Sequence, residues 1–341
     1  MTITTAQTAS PVPEVLPDRP VARVVRSIGV QNISLIVAIA ALVAAIGSQN
    51  SAFFLTANLK TIGMAVTISG LLALVQTVVI IMGGIDLSVG SVAGLASVTS
   101  AMIFTSAGGA ASFFGALAIG AVCGLISGCI VVFGRVTPMI ATLAGLIAFK
   151  GVAQLVSNGR AQGYTGADPF YVFLARGSVL GVPTLIWVLA VVAVLIHFML
   201  RYAKIGRNIY AVGGNDTAAR LSGININRYI LGVFVLAGTV AALAGILITA
   251  RTGSGQPVSG SEGLEFQSIT AAALGGVALR GGKGSIGGTI LAVILLGVLL
   301  NGMSLLGVSP FWQNVAQGTL LVAAVVVQQL RNGERRVGLP K

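Results

Sequence analysis

Ile286-Gly287-Gly288-Thr289-Ile290-Leu291-Ala292-Val293-Ile294-Leu295-Leu296-Gly297-Val298-Leu299-Leu300 holds one hydroxyl and no charge. Continued to residue 305, it reaches the roughly 20 mostly apolar residues that a helix needs to cross a bilayer. Inside lipid every backbone N–H and C=O has to be satisfied internally, which a helix does within its own segment. Comparable runs occur at Ile33–Gly47, Gly115–Phe133 and Leu185–Leu200. Across the chain 55% of residues are hydrophobic, 8% are charged, and the mean hydropathy is +0.97. A soluble domain carries about 25% charged residues, and this chain has too few to cover a water-exposed surface. It reads as an integral membrane protein with many crossings.

Ten spans are expected, at about 30–48, 61–82, 87–105, 113–133, 138–157, 182–200, 229–250, 265–280, 286–305 and 311–330. The fold class is therefore all-α and polytopic. An even count puts both termini on one side. With that side inside, fifteen of the twenty Lys and Arg residues fall in inner segments; Lys60, Arg160, Arg176 and Arg251 fall outside, and Lys150 lies within the fifth span. The positive-inside bias favours this orientation, with both termini cytoplasmic. Trp187 and Trp312 then sit at outer ends of spans, where amphipathic rings prefer to be. The same bias explains the net charge of +12 without nucleic acid. Residues 1–28 are polar, with Pro11, Pro13, Pro17 and Pro20 followed by basic residues, and carry no cleavable signal pattern. They are expected to be a disordered cytosolic tail. One transmembrane domain is expected at 29–331, with a large cytosolic loop at 201–228, and a short cytosolic tail at 332–341.

Three polar segments interrupt the apolar pattern. Met82-Gly83-Gly84-Ile85-Asp86-Leu87-Ser88-Val89-Gly90-Ser91 ends one run and opens the next. The paired glycines permit a sharp break, and Asp86 and Ser88 suit a helix start. Asp86 is the only acid between Asp18 and Asp168. It reads first as a turn-capping residue, and alternatively as a polar point on a transport path, because intramembrane acids are costly. Within Gly206–Ile224, Asn215 or Asp216 caps a short helix through Leu221 that Gly223 ends; a helix of this kind suits docking to another protein, the alternative being a plain basic loop held near anionic lipid. The third segment, Leu274 to Gly288, superficially resembles a phosphate-binding loop. Val277 stands where the first Gly is required and Gly284 follows Lys283, so nucleotide binding is rejected. Gly83-Gly84…Ser88-Val89-Gly90-Ser91 also echoes Gly281-Gly282…Ser285-Ile286-Gly287-Gly288, as repeats with interrupted spans do in transporters.

No nucleophile–base or paired-carboxylate constellation is present, and no cofactor is expected. Cys123 and Cys129, six residues apart in one apolar run, read as small buried residues. A lone His197 makes no metal site. Glu262 and Glu265 fall in a Gly/Ser-rich stretch expected to be an outer loop. A proton-driven carrier would bury several ionisable groups; this chain offers little beyond Asp86, so its driving force is expected elsewhere.

At these three segments the chain closely resembles the membrane permease subunits of bacterial ABC sugar importers of the ribose, xylose and galactose group, over about residues 30–330. The resemblance implies the ten-helix type-II importer fold in the bacterial inner membrane. It also implies an ATP-binding subunit on the cytosolic face, a periplasmic sugar-binding protein on the outer face, and a second permease copy or related chain. The chain itself would be a transporter subunit without enzymatic activity. The family's coupling segment matches Gly206, Arg207, Ala211, Gly213, Gly214, Asn215, Ala218, Ala219, Arg220, Gly223 and Ile224. The motif at Gly83, Gly84, Asp86, Ser88 and Gly90, together with Gln76 and Asn301, is the candidate translocation path, with Ser91 and Asn58 as further neutral polar groups. A permease for a nucleoside, sugar alcohol or sugar-derived signal is the nearest alternative; a stand-alone secondary carrier and a channel are more remote.

Overall fold

A computed structural model describes residues 30–163, 168–258 and 261–331; both expected tails lie outside the described residues. The helices are α1 (Val30–Gln49), α2 (Thr56–Ile81), α3 (Val89–Val132), α4 (Pro138–Ser157), α5 (Pro169–Arg176), α6 (Thr184–Tyr202), α7 (Lys204–Gly214), α8 (Asp216–Leu221), α9 (Ile226–Thr252), α10 (Leu264–Leu274), α11 (Ile286–Leu305) and α12 (Pro310–Arg331). Two short antiparallel strand pairs, Gln162–Gly163 with Ser254–Gly255 and Ser178–Val179 with Val182–Pro183, are the only sheets among the described residues. Eight helices are long and apolar enough to cross a membrane.

α2 is the centre of the bundle. Every residue from Val66 to Ile81 is buried. α11 runs antiparallel to it: Thr77 meets Thr289 at 2.7 Å, and Asn58 and Asn301 exchange hydrogen bonds of 3.1 and 2.9 Å. Both ends of the described chain lie on the face that carries α7 and α8. Gln31 Nε2 donates to Leu274 O at 2.9 Å, and Gln328 Nε2 donates to Val277 O. Trp187 and Trp312, in the first turns of α6 and α12, lie at the opposite face.

α3 is 44 residues long, about 66 Å at 1.5 Å per residue, roughly twice the hydrocarbon core. It does not run straight. Gly108 has φ 83° and ψ 177°, a conformation open to glycine, and the helix reverses there. The packing on α9 shows the reversal. Leu231, Phe234 and Gly238 of α9 meet Gly128, Gly124 and Gly120 in falling order, whereas Gly245 and Thr249 meet Ala93 and Ser97 in rising order. The second half of α3 is therefore antiparallel to α9, and the first half is parallel to it. Small residues let these backbones touch: a Cβ on Gly238 would lie 2.9 Å from Gly124 N, and one on Gly245 would lie 2.9 Å from Ser97 N. The third and fourth expected spans are these two halves.

The eighth expected span, 265–280, needs correction. α10 has 11 residues, about 16 Å, and cannot cross. It starts inside the protein. From the end of α9 the chain turns back along α3: Gln256 N donates to Ser97 Oγ at 2.9 Å, and a Cβ on Gly94 would touch Ser261 Oγ at 2.8 Å and Pro257 O at 2.9 Å. Glu265 then lies against Gly90, and α10 ends where Gly275 abuts Gly288. Glu265 is consequently buried in the bundle and not in an outer loop. The first half of α3 is built the same way from the other side. α2 ends at Ile81, residues 82–88 run back into the bundle, and the helix starts at Val89. Two half-helices of opposite direction thus begin side by side at Gly90 and Glu265. The counterpart of residues 82–107 is 253–274, so the Gly281–Gly288 echo does not mark an equivalent element. That stretch is the turn from α10 into α11. Cys123 is buried as expected, but Cys129 is only half-buried.

Candidate functional site

Re-entrant backbone buried inside a membrane protein has to find its hydrogen-bond partners within the protein. Residues 82–88 meet that demand. Gly83 N donates to Ile80 O at 2.8 Å and Gly84 N to Val79 O at 3.0 Å. Leu87 N donates to Thr142 Oγ1 at 3.1 Å, and the same hydroxyl lies 3.2 Å from Ile85 O. With its amide oriented to match, Gln76 donates to Asp86 O at 3.0 Å and accepts from Asp86 N at 3.2 Å. The Asp86 carboxylate accepts from Ser88 N at 2.8 Å and Ser88 Oγ at 2.6 Å, and Ser91 Oγ donates to Ser88 O at 2.8 Å. The helix start itself is Ser88, so Asp86 braces it from two residues upstream. Gln76, Asp86, Ser88 and Ser91 therefore form one buried network that holds the break. Thr142 is an equal member that sequence reading missed, since nothing sets it apart from any other threonine in an apolar helix.

Gly206–Ile224 folds as two helices where one was expected. α7 buries Gly206, Ile209 and Val212, one face at threefold spacing. Asn215 then caps α8, its side chain accepting from Ala218 N at 2.9 Å, and Gly223 ends the turn with φ 79°. Only Ala219 of α8 is buried; Asp216, Ala218, Arg220 and Leu221 face outward, Leu221 at 85% exposure. α8 is a knob with a free apolar tip.

Three glycine-rich turns, far apart in sequence, converge under this knob. Gly213 lies so close to Ile81 that a Cβ there would collide with the Ile81 carbonyl oxygen and stand 2.8 Å from Gly282 N. Gly282 N donates to Ile81 O at 2.8 Å. Gly281 has φ 91°, and a Cβ there would stand 2.9 Å from the Gly83 Cα. Tyr210 Oη donates to Gly284 O at 2.8 Å; burial raises this phenol above its ordinary value, with Arg201 working in the opposite direction. The end of α2, the start of the re-entrant segment, α7 and the α10–α11 turn thus share backbone-to-backbone contacts, which transmit displacement with little slack.

Asn301 lies elsewhere. Near the opposite face it lines a cavity of about 390 Å³ between α2, α10 and α11. It is not in contact with the Gln76–Asp86 network, so the candidate path residues fall into two groups.

The family described as branched-chain amino acid transport system / permease component matches residues 58–325. The chain belongs to that family. As a permease component of a transport system it is a multi-pass membrane protein, and not an enzyme. The chain is 38% identical over 295 residues to the ribose import permease of Escherichia coli (strain K12), covering 86% of this chain and 92% of that one. It is 34% identical to the D-allose transport system permease of the same organism, covering 86% and 90%, and 35% identical to its L-arabinose transport system permease, covering 82% and 84%. No solved structure matches.

Proposed function

We propose that this permease is the membrane subunit of an ATP-driven monosaccharide importer in the bacterial inner membrane, moved by an ATP-binding subunit docked on α7 and α8. One observation carries the reading: the seating of Gly213 directly on Ile81 and Gly282. It joins an exposed docking knob to the one place where α2 breaks and the chain re-enters the bundle. Closure of the ATP-binding pair would pull α7, and α7 would shift the Ile81–Ser88 break, so that helices on either side rock and access alternates. A gradient-driven carrier would need buried groups free to exchange ions. Among the described residues two acids are buried, Asp86, bonded to Ser88, and Glu265, packed against Gly90; the one histidine, His197, is exposed on α6.

The charge bias puts the α7–α8 face in the cytosol, together with both termini. A periplasmic binding protein then docks on the opposite face, which carries α5 and the ends of α9 and α11. A second permease copy or related chain completes the path. The names of the three relatives favour a pentose or hexose over a nucleoside, sugar alcohol or sugar-derived signal.

The test is purification of this chain with its ATP-binding and binding-protein partners, followed by ATP hydrolysis and vesicle uptake across a panel of sugars. The expected result is hydrolysis stimulated by one loaded binding protein, and uptake that requires ATP. Uptake by this chain alone, driven by a proton or sodium gradient, would refute the reading. A cysteine placed at Asn215 should label only from the cytosolic side.

A further inference from the structure

We propose that the permease has a sugar-binding site of its own in the cavity near the outer face, with Gln267 and Arg251 as the residues that grip a neutral polyhydroxylated ring. The inference rests on the monosaccharide reading above and deepens it. The cavity holds about 390 Å³, within the size range of small-ligand sites. Its polar lining includes Thr61, Arg251, Gln267, Asn301, Ser304 and Gln313, and no acid.

Most of these groups are already committed. Thr61 Oγ1 donates to Ala57 O at 3.0 Å, Asn301 is paired with Asn58, and Gln313 Nε2 donates to Ser304 Oγ at 3.1 Å. Gln267 and Arg251 are different: among the described residues, neither side chain has a hydrogen bond or an ion pair. Gln267 is a half-buried amide and Arg251 an exposed guanidinium; both face one cavity with their donors uncommitted to other protein groups, which leaves them available to a ligand. Their chemistry selects it. An amide both donates and accepts, as a sugar hydroxyl does, and a guanidinium offers five donors. An amino-acid zwitterion needs an anion for its ammonium group, and the lining supplies none. Arg251 is also one of only four basic residues on the side where the charge bias disfavours them, so orientation signalling does not account for it. Gln267 is in the first turns of half-helix α10 and Arg251 is in the last turn of α9.

The test uses the whole importer in proteoliposomes, comparing uptake of D-ribose, D-allose, L-arabinose and L-leucine. Gln267→Leu and Arg251→Gln should each lower uptake of the preferred sugar at least tenfold, and should change the ratios among the three sugars. Gln267→Asn keeps the amide but shortens its reach; it should shift those ratios even if Gln267→Leu fails to assemble. Variants within twofold of the wild type, or a uniform fall for all three sugars, would overturn the site while leaving the importer reading intact. Uptake of L-leucine and of no sugar by the wild-type complex would overturn both.

Discussion

Replacing Gly213 by Ala adds one methyl group at the point where α7 rests on the rest of the molecule. Its Cβ would collide with the Ile81 carbonyl oxygen and stand 2.8 Å from Gly282 N and 2.9 Å from the Ile81 carbonyl carbon. These are backbone atoms that cannot rotate away, so α7 has to lift. Overpacking of this kind costs about 1–3 kcal/mol. The lifted helix would also wedge between Gly282 N and Ile81 O, whose 2.8 Å hydrogen bond is worth about 0.5–1.5 kcal/mol net. Ala favours helix over Gly by up to about 1 kcal/mol, which offsets part of the loss. The neighbouring glycine supplies the control. A Cβ on Gly214 meets nothing within 4 Å, so Gly214→Ala should be neutral or slightly stabilising. Thermal unfolding of each purified variant, and sugar imported per ATP hydrolysed in the assembled importer, are the two readouts. Gly213→Ala should unfold earlier and waste ATP, while Gly214→Ala should do neither. If the two variants are indistinguishable in both assays, the backbone seat does not carry the coupling.

Three further outcomes follow from the packing. Asn215→Ala removes the cap of α8 and should cost about 1 kcal/mol of local stability, read as faster amide exchange across residues 216–221 and weaker binding of the ATP-binding subunit. A double-mutant cycle between Thr77→Val and Thr289→Val, bonded at 2.7 Å inside the bundle, should give a coupling near the 0.6 kcal/mol average for membrane helix pairs; a value above 2 kcal/mol would show that the pair does more than join helices. Lys150 and Glu262 pair at 2.9 Å with side-chain exposures of 36% and 67%, so Lys150→Met should change thermal stability by no more than about 1 kcal/mol.

Much of this architecture is legible in the sequence because hydropathy reports directly on lipid contact. The apolar runs mark the long helices, and the stretch of small residues at 106–112, with Gly108 and Gly109 at its centre, separates the two halves of α3 even though the helix formally continues through it. Asn215 and Gly223 bound α8 by local chemistry alone. The half-length of α10 is not legible, because buried protein and lipid reward the same apolar residues and hydropathy does not register where a helix starts in depth. Glu265 looks like loop material for the same reason: its burial depends on Gly90, far away in the chain. The sites show the same split. The glycines at 83, 213 and 281 each announce a turn, but not that the turns touch. Gln76 looks like a path residue until the backbone of Asp86 is found opposite it. Gln267 carries no local signal and becomes conspicuous only when its neighbours prove to be occupied.

The short length of α10 also bears on how the chain is made. A segment of 11 residues is about half the roughly 20 needed to partition into lipid as an independent helix, and the backbone that precedes it would be unsatisfied there. It has to be accommodated by protein already in place, namely α2, the first half of α3 and α9, all of which leave the ribosome before it does. Membrane integration of this permease is therefore not wholly a string of independent insertions: α10 waits for a cradle assembled by the preceding segments, and a nascent chain whose α3 failed to reverse at Gly108 would have nowhere to put it.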